Sequence, residues 1–477
     1  MPATPRLLRD LASQVSPSHV LSRPADLAAY AYDGYGSAGL RALPDAVVFP
    51  ASTAEVADVV RVCAHHGVPV TARGAGTGYA GGVVSDGGVV LSLVRMSRIL
   101  GVEHEAMRVH VEAGAITAAV HAAAGAVGLL YPPDPGSATT STIGGNIACN
   151  ASGARAAKYG TTADHLVGAV VVLADGTVAR LGEAGPDGDL LLRLLPASEG
   201  TLAIVTEAVL RLVPAPAATA TLSAGFADVA GAVNAALRIG AAGVVPSALE
   251  FLDDAALAAV AGVPGVGSFP AGTGALVIIE VDGDAATVAT QLDAVRTALT
   301  AAGARDVEVA DGDAAATRLW RARKSISAAV ASIVVGKVNE DVCVPLPAVA
   351  QAVDAARAAG AAHHVPVVTF GHLGDGVAHA TFLIDPRRAG ERDRGEAAAR
   401  QLADAVLGLD GSVTGEHGIG VTKLGVVGRQ LDPATLALMR RIKAELDPHG
   451  LLAPHVKLPG GATGIGVPLE ASTARHR

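Results

Sequence analysis

Two histidines lie seven residues apart in Gly371-His372-Leu373-Gly374-Asp375-Gly376-Val377-Ala378-His379, and an acid–histidine pair follows in Gly415-Glu416-His417-Gly418-Ile419-Gly420. Imidazoles and a carboxylate framed by glycines are the donors that a divalent metal site or an acid/base site uses. A second glycine-rich block, Ala72-Arg73-Gly74-Ala75-Gly76-Thr77-Gly78, has the composition of a phosphate cradle. Together, a cofactor-phosphate site near one end and a His/Glu cluster near the other point to a cofactor-dependent enzyme. A single glycine-flanked histidine more often marks a turn or a hydrogen-bonded core residue, and His363 and His364, at a helix end, belong to that class.

The elements around the first glycine block decide what kind of cradle it is. Val47-Val48-Phe49 reads as a strand. Ser52-Thr53-Ala54-Glu55 has the capping-box spacing and opens a helix to about His66. Val68-Pro69-Val70-Thr71-Ala72 is a second strand leading into the glycines. Gly76-Thr77-Gly78-Tyr79-Ala80-Gly81 formally matches the dinucleotide fingerprint GxGxxG, but that fingerprint needs a helix to begin there. The following residues, Gly82 to Gly88, cannot start one, so a Rossmann site is rejected. A nest of backbone N–H groups that binds pyrophosphate without a helix remains.

Further strands are expected at Val89–Leu93 and Arg108–Glu112, and a hairpin joins Val170–Leu173 to Val178–Arg180 through Asp175-Gly176. Val213-Pro214-Ala215-Pro216 reads as a linker. Beyond it, apolar runs at 248–252, 275–281, 307–310, 342–345, 367–370 and 378–384 alternate with alanine-rich helices, an α+β pattern. Residues 433–446 form one more helix, and 460–477 read as a flexible tail. The uncharged stretch Ala255–Ile279 is broken by prolines and glycines and reads as a loop followed by a strand rather than a membrane span. Ala113–Pro133 reads as a buried helix and its exit.

The 477 residues require two or three domains. A hydrophobic fraction of 50% and a mean hydropathy of +0.42 arise largely from Ala and Val, since aromatics make up 3%. The net charge of -9 argues against a nucleic-acid partner. Cys63, Cys149 and Cys343 are far apart, so a disulfide framework, a thiolate zinc site and an iron–sulfur cluster lack support. MPATPRLLRD has no apolar signal region, and no transmembrane segment is expected. The expected setting is cytoplasmic, with peripheral attachment at a membrane only through a partner, and a homodimer is compatible with this reading.

Several segments carry a family resemblance. Pro44-Asp45-Ala46-Val47-Val48-Phe49-Pro50 and Arg73 to Gly78, together with Pro132-Pro133-Asp134-Pro135, Thr142-Ile143-Gly144-Gly145-Asn146, Lys158-Tyr159-Gly160 and Ser198-Glu199-Gly200-Thr201-Leu202, resemble the FAD-binding domain of the vanillyl-alcohol oxidase / p-cresol methylhydroxylase superfamily. Trp320 to Lys324, Glu340 to Pro345 and the two histidine segments are similar to its D-2-hydroxyacid dehydrogenase branch, which includes cytochrome-type D-lactate dehydrogenase, the glycolate oxidase FAD subunit and D-2-hydroxyglutarate dehydrogenase. The similarity spans roughly residues 25 to 458, with the motifs in the family's order.

The resemblance implies a fold class of α+β: a two-lobed FAD-binding domain over 1–215, a cap or substrate domain over 216–410 and a C-terminal segment, 411–459, that returns to the flavin. It implies FAD held by Arg73, Gly74, Ala75, Gly76, Thr77 and Gly78, with Pro133, Asp134, Ser137, Thr140, Gly144, Gly145, Glu199, Gly200, Ile204 and Val205 lining the rest. The loop continues Tyr79-Ala80 without a His or Cys, so the FAD is expected to be non-covalent. His372, His379 and Glu416 match the ligands of a divalent metal, Zn²⁺ or Mn²⁺. His417 matches a general base, and Arg323 an arginine suited to a carboxylate. Trp320 is expected in the core.

Two positions depart from the pattern: Val377 stands where the family usually has Asn, and Ala453-Pro454-His455-Val456-Lys457 where it usually has Asn-Pro-Gly-Lys. The implied reaction is oxidation of a small D-2-hydroxy acid, D-lactate or glycolate, with hydride to flavin N5. Electrons then pass to a quinone, a cytochrome or an iron–sulfur partner protein. Alternatives are a non-redox enzyme like the alkylglycerone-phosphate synthases and a non-catalytic flavin-binding subunit.

Overall fold

The computed structural model describes residues 3–182, 190–267 and 269–460. Of the segment expected as a tail, 461–477 lie outside the described residues. β1 (Val20–Leu21), β2 (Ala46–Val48), β3 (Val70–Arg73) and β4 (Val89–Ser92) form a sheet in the order β1-β2-β4-β3, with β2, β4 and β3 parallel. Parallel neighbours need a crossover, and the helix Thr53–His66 supplies it. Ser52 caps its start by accepting from the Glu55 N–H, and Gly67 closes it in the left-handed conformation. No helix follows the glycines after β3; the chain loops directly to β4, as the rejection of a Rossmann site requires.

β5 (Ile99–Glu103), β6 (Arg108–Glu112), β7 (Leu129–Leu130), β8 (Leu166–Val172), β9 (Val178–Leu181), β10 (Ile204–Arg211) and β11 (Val213–Pro214) follow. Five of them make an antiparallel sheet in the order β5-β6-β10-β8-β9. The Asp175-Gly176 hairpin is present, with Val172 opposite Val178. Both sheets share one core, in which Val56, Val60, Val89 and Leu91 meet Val109, Val111, Ile147, Val171 and Leu210. Ala113–Pro133 contains the expected helix, Thr117–Gly125, which buries Thr117, Val120 and Ala124 and leaves its other face less covered. The segment read as a linker is tied down: β11 pairs with β7, and the Ala215 N–H donates to the Gly128 carbonyl.

β12 (Ala218–Phe226), β13 (Ala248–Asp253), β14 (Ala275–Gly283), β15 (Arg305–Val309), β16 (Gly336–Cys343), β17 (Val367–His372) and β18 (Val377–Ile384) build a seven-stranded antiparallel sheet in the order β15-β12-β14-β13-β17-β18-β16. Side chains alternate between the faces of a strand. One face presents Leu249, Phe251, Val277, Ile279, Val338, Val342, Ala378, Ala380 and Phe382 to the helices Val229–Ala241, Ala285–Ala301, Val349–Ala362 and Glu391–Leu407. The other carries Leu252, Ile278 and Val368 against the helices Asp254–Val260 and Gly312–Ile333.

Ala255–Ile279 differs from the expected loop and strand. It lies first in the helix Asp254–Val260, which Asp253 caps by accepting from the Ala256 N–H at 2.8 Å. A loop and β14 follow. The helix Pro433–Leu446 is present, and Leu452 then bridges in parallel to Val70 at the edge of β3. Among the described residues, no helix is long and apolar enough to cross a membrane.

Candidate active site

Strand alternation gathers the polar groups. Glu250 on β13, His372 on β17, His379 and Thr381 on β18, and Lys337, Asn339 and Asp341 on β16 fall on one face of the large sheet. The registers are Glu250 opposite His372, Asp341 opposite His379, and Asn339 opposite Thr381. A short 3-10 turn, Leu373–Asp375, joins β17 to β18, and Gly376 takes a φ of 75° there. That hairpin sets His372 and His379 as diagonal neighbours, close enough for their side chains to meet. Their Nε2 atoms lie 3.5 Å apart.

Glu416 and His417 arrive on a loop that Asp341 holds. The fully buried Asp341 carboxylate accepts from the backbone N–H groups of Gly415, Glu416 and His417 at 2.9, 2.7 and 2.7 Å, and from the Lys423 ammonium. Burial works against its charge, but His417, Lys423 and these amides hold it well below the usual carboxylate range. Glu416 Oε1 thereby lies 3.6 Å from His372 Nε2 and 3.5 Å from His379 Nε2, and Ser152 donates to its other oxygen. The His417 ring stacks on His379 with centroids 5.3 Å apart and meets Tyr79 at 5.2 Å. His417 Nδ1 is 3.4 Å from Asp341 Oδ1 yet is not aligned for a hydrogen bond, so it remains a buried nitrogen without a partner among the described residues.

Val377 lies on this hairpin opposite His372, and a Cβ on Gly415 would meet its methyl groups at 2.9 and 3.0 Å. It therefore packs beneath the Glu416 loop as an apolar support. Burial opposes charge on His372, but the Glu250 carboxylate outweighs it and, with Glu416, pushes the imidazole up to about 10. Burial pushes His379 down to about 3. Glu416 is held well below its usual range despite burial, by its bond and attraction to His372 and by the other two histidines. This pocket draws positive charge to the point where three donor atoms lie within 4.8 Å of one another.

A cavity of about 570 Å³ runs from this cluster to the first glycine block. Its wall includes Arg73 to Ala80, Ser137, Thr140, Gly144, Gly145, Glu199, Gly200, Ile204 and Val205 at one end, and Arg323, His372, His379, Glu416 and His417 at the other. Pro133 and Asp134 are not in the wall. The Pro133 carbonyl faces His121, Asp134 pairs with Lys324 at 3.3 Å, and Pro135 and Gly136 line the cavity instead. Among the described residues, the backbone N–H groups of Ala75 to Gly78 donate to no protein acceptor. The Arg73 side chain does not reach forward. It folds under the loop, donates to the Tyr32 carbonyl at 2.9 Å and lies over the Tyr30 ring. Gly74 and Gly76 permit this packing: a Cβ on the first would collide with Thr142 Oγ1, and one on the second with the Arg73 guanidinium.

Glu199 also ties the C-terminal loop to the glycine end, since its oxygens accept from the Ile419 and Gly420 N–H groups at 3.0 and 2.6 Å. Lys457, in the departing Ala453–Lys457 segment, joins it at 3.5 Å. Trp320 packs at the edge of the core and donates to Glu280, outside the cavity wall. His363 and His364 lie remote from the cavity at the end of the helix Val349–Ala362, where His363 meets Gln401. The sequence reading missed Glu250, Asp341 as an anchor, Lys423, Tyr79 and Lys337. It also missed Cys149, a thiol in the cavity wall that burial pushes up to about 12.

Comparison with known proteins follows the same division. Residues 44–182 match the FAD binding domain family, and residues 215–456 match the family of FAD linked oxidases, C-terminal domain. The glycolate oxidase subunit GlcD of Bacillus subtilis strain 168 is 36% identical over 432 residues, covering 89% of this chain and 91% of the relative. A probable mitochondrial D-lactate dehydrogenase of Danio rerio is 32% identical, covering 86% and 84%. A D-2-hydroxyglutarate dehydrogenase of Xanthomonas citri is 35% identical, covering 94% and 96%. Among solved structures, p-cresol methylhydroxylase with substrate bound superposes with a TM-score of 0.79 at 17% identity, covering 95% of this chain and 96% of that one. An alkyldihydroxyacetonephosphate synthase superposes at 0.76 and 19% identity, covering 95% and 85%. At these identities the structural likeness concerns the fold.

Proposed function

This chain belongs to the FAD linked oxidases, and we propose that it oxidises a small D-2-hydroxy acid, D-lactate or glycolate, to the 2-oxo acid and passes the electrons to an acceptor other than oxygen. One observation carries the reading: a single cavity joins the unpartnered amides of Ala75–Gly78 to the cluster of His372, His379, Glu416 and His417. Residues 1–215 hold the cofactor, 216–410 cover it and 411–459 bring Glu416 and His417 back to it. Free amides in a glycine loop suit a pyrophosphate, so the loop fits FAD. Bound FAD supplies the two-electron acceptor for the C2 hydride.

The donor set of two imidazoles and a carboxylate fits Zn²⁺ or Mn²⁺ and leaves positions for a chelating hydroxy acid. A divalent ion there supplies Lewis-acid polarisation of the hydroxyl and carboxylate oxygens. His417 accepts the hydroxyl proton, a role suited to an imidazole near neutral pH. Arg323 keeps its terminal nitrogens free of protein acceptors among the described residues and turns them to the substrate carboxylate.

The decisive experiment is anaerobic bleaching of the purified yellow protein with a panel of D- and L-2-hydroxy acids, followed by reoxidation with quinone, cytochrome c or air. Bleaching by D-lactate or glycolate and slow return in air are expected. No bleaching by any acid would overturn the reading, and peroxide formed as fast as a dye is reduced would make the protein an oxidase.

Retention of the cofactor gives a separate prediction. Heat or acid should release FAD intact, because Cys149 is held as a neutral thiol and Tyr79-Ala80 offers no His or Cys. Gly76→Ala places a side chain at φ 71° and against Arg73. A left-handed non-glycine residue costs about 1–2 kcal/mol, and a loop that relaxes from this strain in the free protein must recover it on binding, so FAD affinity should fall roughly tenfold. Flavin absorbance per mole of protein reads this, and unchanged content would remove the loop from the cradle.

A further inference from the structure

We propose that Glu250 is a positioning residue that sets, with one carboxylate, both the metal-facing edge of His372 and the substrate-facing edge of Arg323. The inference rests on the metal reading above and adds to it a residue from a strand with no motif. Glu250 sits on β13 between β14 and β17 and exposes none of its surface. Its Oε1 lies 2.6 Å from His372 Nδ1, and its Oε2 accepts from Arg323 Nε at 2.5 Å. A buried carboxylate is costly unless fully partnered, and here each oxygen has one donor.

The two bonds have different consequences. With Oε1 as acceptor, the imidazole must carry its proton on Nδ1. In the neutral form that ligates a metal, the lone pair then belongs to Nε2, the nitrogen that faces Glu416 and His379. With Oε2 engaging Nε, the guanidinium plane is fixed over the Phe370 ring, 4.9 Å from its centroid, and Nη1 and Nη2 are left for the cavity. No neutral side chain reproduces both. In Glu250→Gln a single amide oxygen must serve two donors. If it stays with Arg323, the amide N–H faces His372 Nδ1, which favours the other tautomer and puts a proton where the metal lone pair is needed.

The test titrates the FAD-loaded, metal-stripped protein with Zn²⁺ and Mn²⁺ in competition with a chromophoric chelator, alongside Glu250→Gln and Glu250→Asp. Affinity should fall about tenfold to a hundredfold in Glu250→Gln, the range typical of losing a partner that orients a ligating histidine. Glu250→Asp, which keeps the charge on a shorter arm, should fall between it and the wild type. FAD content should stay constant, and KM for the hydroxy acid should rise as Arg323 loosens. Metal affinity within about twofold of wild type in a folded, yellow Glu250→Gln protein overturns the inference alone. A wild type that binds neither metal overturns the metal reading and this inference together. Should neither variant fold, the imidazole nitrogen NMR signals of the metal-loaded wild type decide. A protonated Nδ1 on His372 upholds the assignment, and a protonated Nε2 overturns it.

Discussion

Replacing His417 with alanine should leave the protein yellow while slowing substrate-driven flavin reduction by on the order of a hundredfold or more, the usual loss when a general base is removed. The two effects separate because the structure separates them. The His417 side chain lines the cavity beside His379 and Tyr79, whereas its backbone N–H, not its ring, is one of the groups that anchor the loop on Asp341. Truncation therefore leaves the amides of Gly415, Glu416 and residue 417 in place, along with the Lys423 contact. The glycine loop is built from a different part of the chain and keeps its own packing on Arg73 and Thr142. Stopped-flow mixing under nitrogen gives the reduction rate directly. A rate within about threefold of wild type would move the proton-accepting role to another group.

Stripping the proposed divalent ion should have an effect of similar size. Lewis-acid polarisation contributes several kcal/mol to reactions of this kind, so turnover should fall on the order of a hundredfold or more after dialysis against a chelator and return with added Zn²⁺ or Mn²⁺. His372→Ala should abolish the return, because among the described residues it removes one of the three grouped donors and leaves Glu250 with Arg323 as its remaining side-chain partner. Val377 offers no donor of its own; its methyl groups pack on Gly415. The ion should therefore be lost more readily than where an amide stands at that position, and replacing Val377 by Asn should slow the loss. A wild type that carries no metal and ignores chelators would leave the two histidines as direct hydrogen-bond partners of the substrate.

Much of this site was legible because its residues announce themselves. Glycines at 74, 76 and 78 and the framed histidines are rare patterns, and their chemistry narrows quickly. The α+β architecture followed from the alternation of apolar runs with alanine-rich segments. What the sequence concealed has a common physical cause. Apolar patterning points to a strand at 342–345, but β16 begins at Gly336, because Lys337 and Asn339 face a cavity rather than water and Asp341 is buried against the 415–417 loop and Lys423. A search for apolar runs discards such a strand. Glu250 was hidden for the same reason: within Ala248-Leu249-Glu250-Phe251-Leu252, a lone acid looks like the solvent side of an edge strand, and only the pairing of β13 with β17 reveals its partner. The helix Asp254–Val260 was lost under the weight of the glycines and prolines after it, although Asp253 three residues before Ala256 is a usable capping signal. Pro133 and Asp134 stand just outside the cavity wall, which Pro135 and Gly136 line instead, a difference of two residues that no local pattern marks.

The large sheet divides its substitutions into two independent sets. Along β18, Ala378, Ala380 and Phe382 answer to the helices behind, while His379 and Thr381 answer to the cavity in front. Drift in the first set tunes melting temperature and drift in the second tunes substrate preference, so a lineage can explore new hydroxy acids without renegotiating its stability. The division depends on a single quantity, the parity of the chain between the two histidines. Deleting one residue from the turn Leu373–Gly376 and letting β18 slip to close the gap would exchange its faces, sending the His379 imidazole into the hydrocarbon core and Phe382 into the cavity. Length variation should therefore be purged from this seven-residue interval far more strictly than residue variation, which makes the spacing itself the inherited character.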